Sequence, residues 1–313
     1  MTTEQELARA NPERDTLLTV GVFDGVHLGH QHLLGELVKE AGKSNLLSGV
    51  VTFRQHPQAV LSPRTRLPFL ADLAERERRL KEAGVDIVIV LSFTRELARL
   101  SAERFLAWLK KYLRMRGLVI GYDFALGTGR QGDTEKLRRL GQEMGFSVRV
   151  IAPVTIGGEV VSSTTIRQAL SQGDMTRVSR LLGRPFSLRG RVVTGTSRGK
   201  GLGYPTANLA VDPEQALPAN GVYASQSHIG TKSYPAMTYI GRRPTFDEEQ
   251  PVVETYLIDF TGDLYDREMA IDIRHYLRGD QRFESAEALS KQISADVALG
   301  RKLLLDPGRE AHA

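Results

Sequence analysis

The chain has 313 residues, 42 Lys and Arg against 37 Asp and Glu, and no cysteine. That length exceeds the usual size of one hydrophobic core, so two domains are expected. The lack of cysteine excludes disulfide scaffolds, thiol catalysis and Cys-ligated zinc or iron–sulfur centres, and it is compatible with a reducing compartment.

The opening "MTTEQELARANPERD" is polar and acidic with no apolar leader core. No uncharged apolar run approaches the ~20 residues of a membrane span. A soluble, cytoplasmic protein without a membrane partner is therefore expected. The positive charge is uneven: residues 1–183 hold 26 Lys/Arg and 20 Asp/Glu, whereas residues 184–313 hold 16 and 17. Much of the excess sits in mixed-charge helical runs such as "ADLAERERRLKEAG", read as solvated faces. No aromatic-and-basic recognition motif accompanies it, so nucleic acid is not an expected partner. A site for anionic small molecules is the other use of a positive field.

Along the first half, "LLTVGVF", "SGVVTF", "VDIVIVLSF" and "LVIGYDF" are short and β-branched, and between them lie "HQHLLGELVKEAGK", "DLAERERRLKEAG" and "SAERFLAWLKKYLRM" with apolar residues at helical spacing. This βαβ rhythm predicts a Rossmann-like parallel sheet. A further strand, "SVRVIAPV", precedes "VSSTTIRQALSQGD", whose Ser and Thr residues supply a helix N-cap. After about Gly183 the rhythm changes. "FSLRGRVVTG", "GVYASQSHIG", "KSYPAMTYIG", "VVETYLIDF" and "EMAIDIRHYL" are strand-like and separated by turn residues, and "SAEALSKQISADVALGRKLLL" is a helix. The expected fold is α/β: an N-terminal domain over 1–183 with a parallel sheet, and over 184–313 a small antiparallel β-barrel with a terminal helix. "LLGRPF" is the expected hinge.

In "TVGVFDGVHLGHQHLL" an apolar strand ends in a Gly-containing turn and a helix begins near Leu28. A helix N-terminus beyond the C-terminal end of a parallel strand presents free N–H groups and positive partial charge to a phosphate. Gly21, Gly25 and Gly29 allow close approach of a ligand to the backbone. His27 and His30, three apart, share a helix face and can donate to phosphate oxygens; His32 lies elsewhere on the helix. From these residues alone a phosphate site, a metal site beginning with H-x-x-H and an inert surface all remain open.

"GVFDGVHLGH" resembles the H-x-G-H signature of the nucleotidylyltransferases and, in this wording, the bifunctional bacterial riboflavin kinase/FAD synthetases. "VSSTTIR" is similar to the superfamily's second signature, with Ser162, Ser163 and Thr164 opening a helix and Arg167 one turn later. The resemblance implies ATP and phosphate contacts at Gly21, Phe23, Asp24, Gly29, Asp123, Ser163 and Thr164, with His27, His30 and Arg167 stabilising charge. "VVTFRQHP" resembles the family's second-strand loop and implies flavin contacts at His56 and Pro57. "GYDFALGTGRQGD" resembles a third element, in which Arg130, Gly132 and Asp133 shape a loop; "AL" at 125–126 departs from the family's frequent Arg-Phe. Asp133 is alternatively a helix N-cap.

"VVTGTSRGKGLGYPTANL" resembles the kinase module of the same enzymes. Gly195, Gly199, Gly201 and Gly203 would cradle phosphate, and Thr206 and Asn208 offer hard oxygen donors of the kind Mg²⁺ accepts. Glu254 in "VVETYLIDF" aligns with the family's catalytic glutamate. Arg278, in a segment implicated in closing over flavin, is an expected flavin contact. Tyr239, Tyr256 and Gly279 depart from the family pattern. The resemblance implies ATP-dependent phosphorylation of riboflavin to FMN, then adenylylation of FMN to FAD, with Mg²⁺ serving both steps. A nucleotidylyltransferase with another substrate and a flavin-binding regulator without turnover are the rival readings.

Overall fold

The computed structural model describes residues 1–62, 67–195, 201, 203–244 and 249–305. The chain divides into two compact units, Met1–Ser163 and Thr164–Ala313.

The first unit opens with α1 (Thr3–Ala10), which the sequence reading left unassigned. Thr2 and Gln5 form a capping box: Thr2 Oγ1 accepts from Gln5 N and Gln5 Oε1 from Thr2 N. Five parallel strands follow, β1 (Thr16–Val20), β2 (Leu47–Phe53), β3 (Ile87–Leu91), β4 (Met115–Gly121) and β5 (Ser147–Ile151). They are joined by α2 (Leu28–Lys43), α3 (Pro57–Leu61) with α4 (Leu73–Glu82), α5 (Arg95–Ala98) with α6 (Ala102–Leu113), and α7 (Thr134–Met144). A two-stranded hairpin, β6 (Thr155–Ile156) and β7 (Glu159–Val160), completes the unit.

Spatial order is β3-β2-β1-β4-β5, so the chain leaves β1 to build outward on both sides. That reversal creates a crevice beyond the C-terminal ends of β1 and β4, where open α/β sheets bind ligands. Every residue of β1 is buried, because helices cover both faces. Alternation sends Leu18 and Val20 into the core shared with α1, α6 and α7, and Leu17 into the core shared with α2 and α4. Each fully buried Leu contributes about 1.5–3 kcal/mol.

α8 (Ser163–Ser171) begins on the last residue of the first unit and runs into the second, where α9 (Met175–Leu182) leads into the barrel. α9 starts on an Asp174 N-cap, ends on Gly183 at φ 74°, and packs on the barrel strands β8 (Phe186–Val193) and β13 (Glu268–Arg278). Leu181 and Leu182 of the expected hinge therefore belong to a helix, leaving Gly183–Pro185 as the connection. β9 (Ala207–Val211), β10 (Gly221–Ile229), β11 (Lys232–Pro244) and β12 (Glu249–Leu257) complete a closed barrel in the order β10-β11-β12-β9-β8-β13. Its sequential neighbours are antiparallel. β9 starts at Ala207 within the "PTAN" motif and runs beyond it, outside the strand-like runs named above. α10 (Ala286–Leu305) packs across β10, β11 and β13. Among the described residues no helix is long and apolar enough to cross a membrane.

Candidate active sites

The turn after β1 is wound tightly. Phe23 adopts the left-handed conformation at φ 52°, Gly25 follows at φ 75°, and Val26, a β-branched residue, is held at φ 40°. Such conformations persist only where surrounding contacts over-determine them. Four do so here. Asp24 is buried and its Oδ1 accepts from Leu70 N at 2.8 Å. Ser163 Oγ donates to Asp24 O at 3.1 Å, tying the last residue of the first unit to this turn. Gln31 Nε2 donates to Val26 O at 2.9 Å, and Arg76 Nη1 donates to Val22 O at 2.9 Å.

The turn delivers His27 as the N-cap of α2, where its Nδ1 accepts from His30 N at 3.3 Å. With Nδ1 accepting, a neutral His27 carries its proton on Nε2. The His27 and His30 rings stack with centroids 3.7 Å apart and planes 17° apart, and Phe23 packs against His30 at 5.1 Å. Stacked rings aim their in-plane lone pairs side by side rather than at one point, which disfavours a shared metal ion. Among the described residues no group of three or more His, Asp or Glu is placed to hold one. Burial, and next the adjacent His27, push His30 well below the usual histidine value, so the imidazole is neutral at pH 7. His30 Nδ1 is enclosed although the residue as a whole is only half-buried, and it has no hydrogen-bond partner among the described residues. A Cβ on Gly29 would press on the His27 ring at 3.2 Å and on Val161 O at 3.3 Å. Gly21 faces the Phe23 ring in the same way. His32 is exposed.

Beyond β2, His56 caps α3 by accepting Gln58 N at 3.2 Å, and Pro57 takes the first helical position. Beyond β4, Asp123 is exposed, and Arg130 donates to its backbone carbonyl at 2.8 Å. Asp133 is the N-cap of α7, accepting from Lys136 N at 2.8 Å, the structural alternative given above. Thr164 is exposed on the first turn of α8, and Arg167 follows one turn later on the same helix.

In the barrel, Glu254 of β12 lies directly opposite Asn208 of β9 and Tyr239 of β11. Directly opposed residues share a sheet face, and Thr206 immediately precedes β9. Glu254, Thr206, Tyr239, Tyr256 and Arg278 line one cavity of about 490 Å³ between barrel and α10. The Asn208 side chain lies against the backbone of Gly195, occupying the space a Cβ would take there. Gly201 and Gly203 are exposed. The rest of the glycine-rich loop, residues 196–200 and 202, lies outside the described residues, Gly199 with it.

Arg278 is engaged within the protein. It reaches Asp296 of α10 through Nη2 at 2.8 Å and Nε at 3.0 Å, and its guanidinium lies 5.7 Å from the Phe283 ring. Asp296, 6% exposed, also accepts from Gln292 at 2.8 Å. Sequence reasoning missed Asp296, which stands in no motif, and gave Phe283 no role although it lies five residues after Arg278 in the same segment. It also missed Arg76, although Leu73, Arg76 and Leu80 are spaced as one helical stripe that places Arg76 inward.

An open parallel sheet with a positively polarised turn at its switch point, followed by a closed barrel that gathers a carboxylate and oxygen donors in one cavity, is the architecture of a two-module phosphate-transferring enzyme. The family model for FAD synthetase matches residues 9–165 and that for riboflavin kinase matches residues 182–304. A bifunctional riboflavin kinase/FMN adenylyltransferase of Pseudomonas fluorescens is 40% identical over 95% of this chain and 96% of its own, and that of Escherichia coli K12 is 38% identical over 93% of each. A solved structure described as a macrolide-efflux protein from Streptococcus pneumoniae superposes with a TM-score of 0.88 at 33% identity, over 96% of this chain and 97% of that one. The chain belongs to the bifunctional riboflavin kinase/FMN adenylyltransferase family.

Proposed function

We infer that this chain makes flavin cofactors in two ATP-dependent steps. The riboflavin 5′-hydroxyl attacks the γ-phosphorus of ATP to give FMN and ADP. The FMN phosphate then attacks the α-phosphorus of a second ATP to give FAD and pyrophosphate. We assign the adenylyl-transferring module to residues 1–183 and the kinase module to residues 184–313, working in the cytoplasm. The observation that carries the reading is the register of the barrel, which sets Glu254 opposite Asn208 beside a cavity that Glu254 and Thr206 both line.

In the kinase step Glu254 accepts the proton of the attacking hydroxyl, and Gly195, Gly201 and Gly203 approach the phosphates through their backbone. The Thr206 hydroxyl and Asn208 carbonyl fit Mg²⁺, since both are hard oxygen donors, Thr206 lining the cavity and Asn208 lying opposite Glu254. When bound, Mg²⁺ neutralises phosphate charge. Arg278 contacts flavin once it exchanges its Asp296 partner for ligand.

In the adenylyl step the nucleophile is already ionised at pH 7, so positioning and charge stabilisation suffice. His27 and His30, the start of α2, Ser163 and Thr164 at the start of α8, and Arg167 supply the stabilising groups. Gly21, Phe23, Asp24 and Gly29 shape the turn that receives ATP, and Asp123, His56 and Pro57 face nucleotide or flavin at the strand ends.

The test is to incubate the purified chain with riboflavin, ATP and Mg²⁺ and separate the flavins. FMN followed by FAD is expected, and FAD alone when FMN is supplied. Absence of both FMN and FAD from riboflavin would overturn the kinase assignment, and absence of FAD from supplied FMN the adenylyl assignment.

A further inference from the structure

Arg76 is among the most deeply buried side chains of the protein, 1% exposed, and it is charged. It projects from α4 under the crevice of the first unit. Nη1 donates to Val22 O at 2.9 Å and to Phe53 O at 3.1 Å, and Nη2 donates to Arg54 O at 3.4 Å. Its guanidinium lies 4.4 Å from the Phe69 ring. The next residue, Leu70, donates its backbone N–H to Asp24.

These acceptors belong to two different loops. Val22 is the last residue before the left-handed turn at Phe23 that delivers His27 and His30. Phe53 ends β2, and Arg54 begins the loop that carries His56 and Pro57. A single rigid fork thus ties the ends of neighbouring strands β1 and β2 at the point where each releases its loop. A buried cation is a poor way to gain stability alone, because desolvation offsets most of its attraction, whereas a planar donor fork fixes the mutual position of three carbonyls. The strained turn at Phe23 and Val26 needs such bracing, since nothing in its own sequence favours a β-branched residue at φ 40°.

We propose that Arg76 is a positioning residue for adenylyl transfer, holding the His27–His30 turn and the His56 loop in the mutual register that reaction requires. This rests on the adenylyl assignment above.

The test compares wild type, Arg76→Lys and Arg76→Met as full chains. FAD formation from FMN is measured as separate kcat and KM values, with riboflavin phosphorylation in the same preparation as an internal standard and thermal melting alongside. For Arg76→Met, kcat for FAD should fall about 10²-fold, the order that a misplacement of about 1 Å costs. KM for ATP and FMN should change less than about threefold, with phosphorylation within about twofold of wild type. Arg76→Lys keeps the charge but not the fork, so it should recover only part of kcat. The proposal is overturned if Arg76→Met keeps kcat within about twofold, or if its loss of kcat merely tracks the unfolded fraction. Full recovery by Arg76→Lys would overturn it too, since charge alone would then suffice. If Arg76→Met does not fold, the Lys variant decides by the same kcat criterion. Wild type that makes no FAD would defeat the adenylyl assignment itself, a result separate from any difference among variants.

Discussion

His27 accepts the backbone N–H of His30 while its ring stacks on the His30 ring at 3.7 Å. One residue thereby closes the first turn of α2 and fixes the orientation of its neighbour. The cap leaves His27 Nε2 as its proton-bearing nitrogen, and the stack leaves His30 pinned between His27 and Phe23.

Removing charge stabilisation should be felt in one activity only. His30→Ala and Arg167→Ala are each expected to lower FAD formation from FMN by about 10² to 10³. Riboflavin phosphorylation should be unchanged. Steady-state assays of both reactions on one preparation check this, and unaltered FAD formation in both variants would remove these residues from the mechanism.

Glu254→Gln keeps size and hydrogen-bonding shape but cannot take a proton. FMN production is expected to fall by about 10² to 10⁴, the usual contribution of a general base. FAD formation from supplied FMN should persist.

The depressed pKa of His30 links stability of the first unit to pH. Below its unfolded value near 6.5, the unfolded chain binds a proton that the folded site refuses, so stability falls as pH drops through that value and is unaffected above it. Melting temperature is expected to decline from pH 7 to pH 5 more steeply in wild type than in His30→Asn. Parallel slopes would show that His30 does not titrate in this way.

Gly195→Ala places a methyl group where the Asn208 amide lies. Overpacking of this kind costs about 1–3 kcal/mol; borne by the placement of the Asn208 oxygen, it raises the Mg²⁺ concentration needed for half-maximal phosphorylation by about 5- to 150-fold. The dependence of FAD formation on Mg²⁺ serves as the control and should not move.

Much of this was legible locally. The β-branched runs found all five parallel strands, and the i, i+3 spacing of His27 and His30 at the end of the first strand found the turn. What stayed hidden depends on packing. α1 was passed over because its residues are polar, although Thr2 and Gln5 spell a capping box. The charged neighbours of Arg76 mark a solvated face, while its helical phase with Leu73 and Leu80 points inward. Asp296 finds Arg278 from 18 residues away, a pairing that neither segment announces. The opposition of Asn208 and Glu254 is a register between distant strands, set by barrel closure rather than by either motif.

Among the described residues the barrel closes β9 onto β12 through two residue pairs, Glu254 with Asn208 and Thr255 with Ala207. This is the shortest joint in the ring among those residues, and the residues assigned above to the kinase step flank it. A closed sheet offers no free edge to other chains; parting this joint would create two. Any movement that parts this joint therefore bares the backbone hydrogen-bonding groups of both strands.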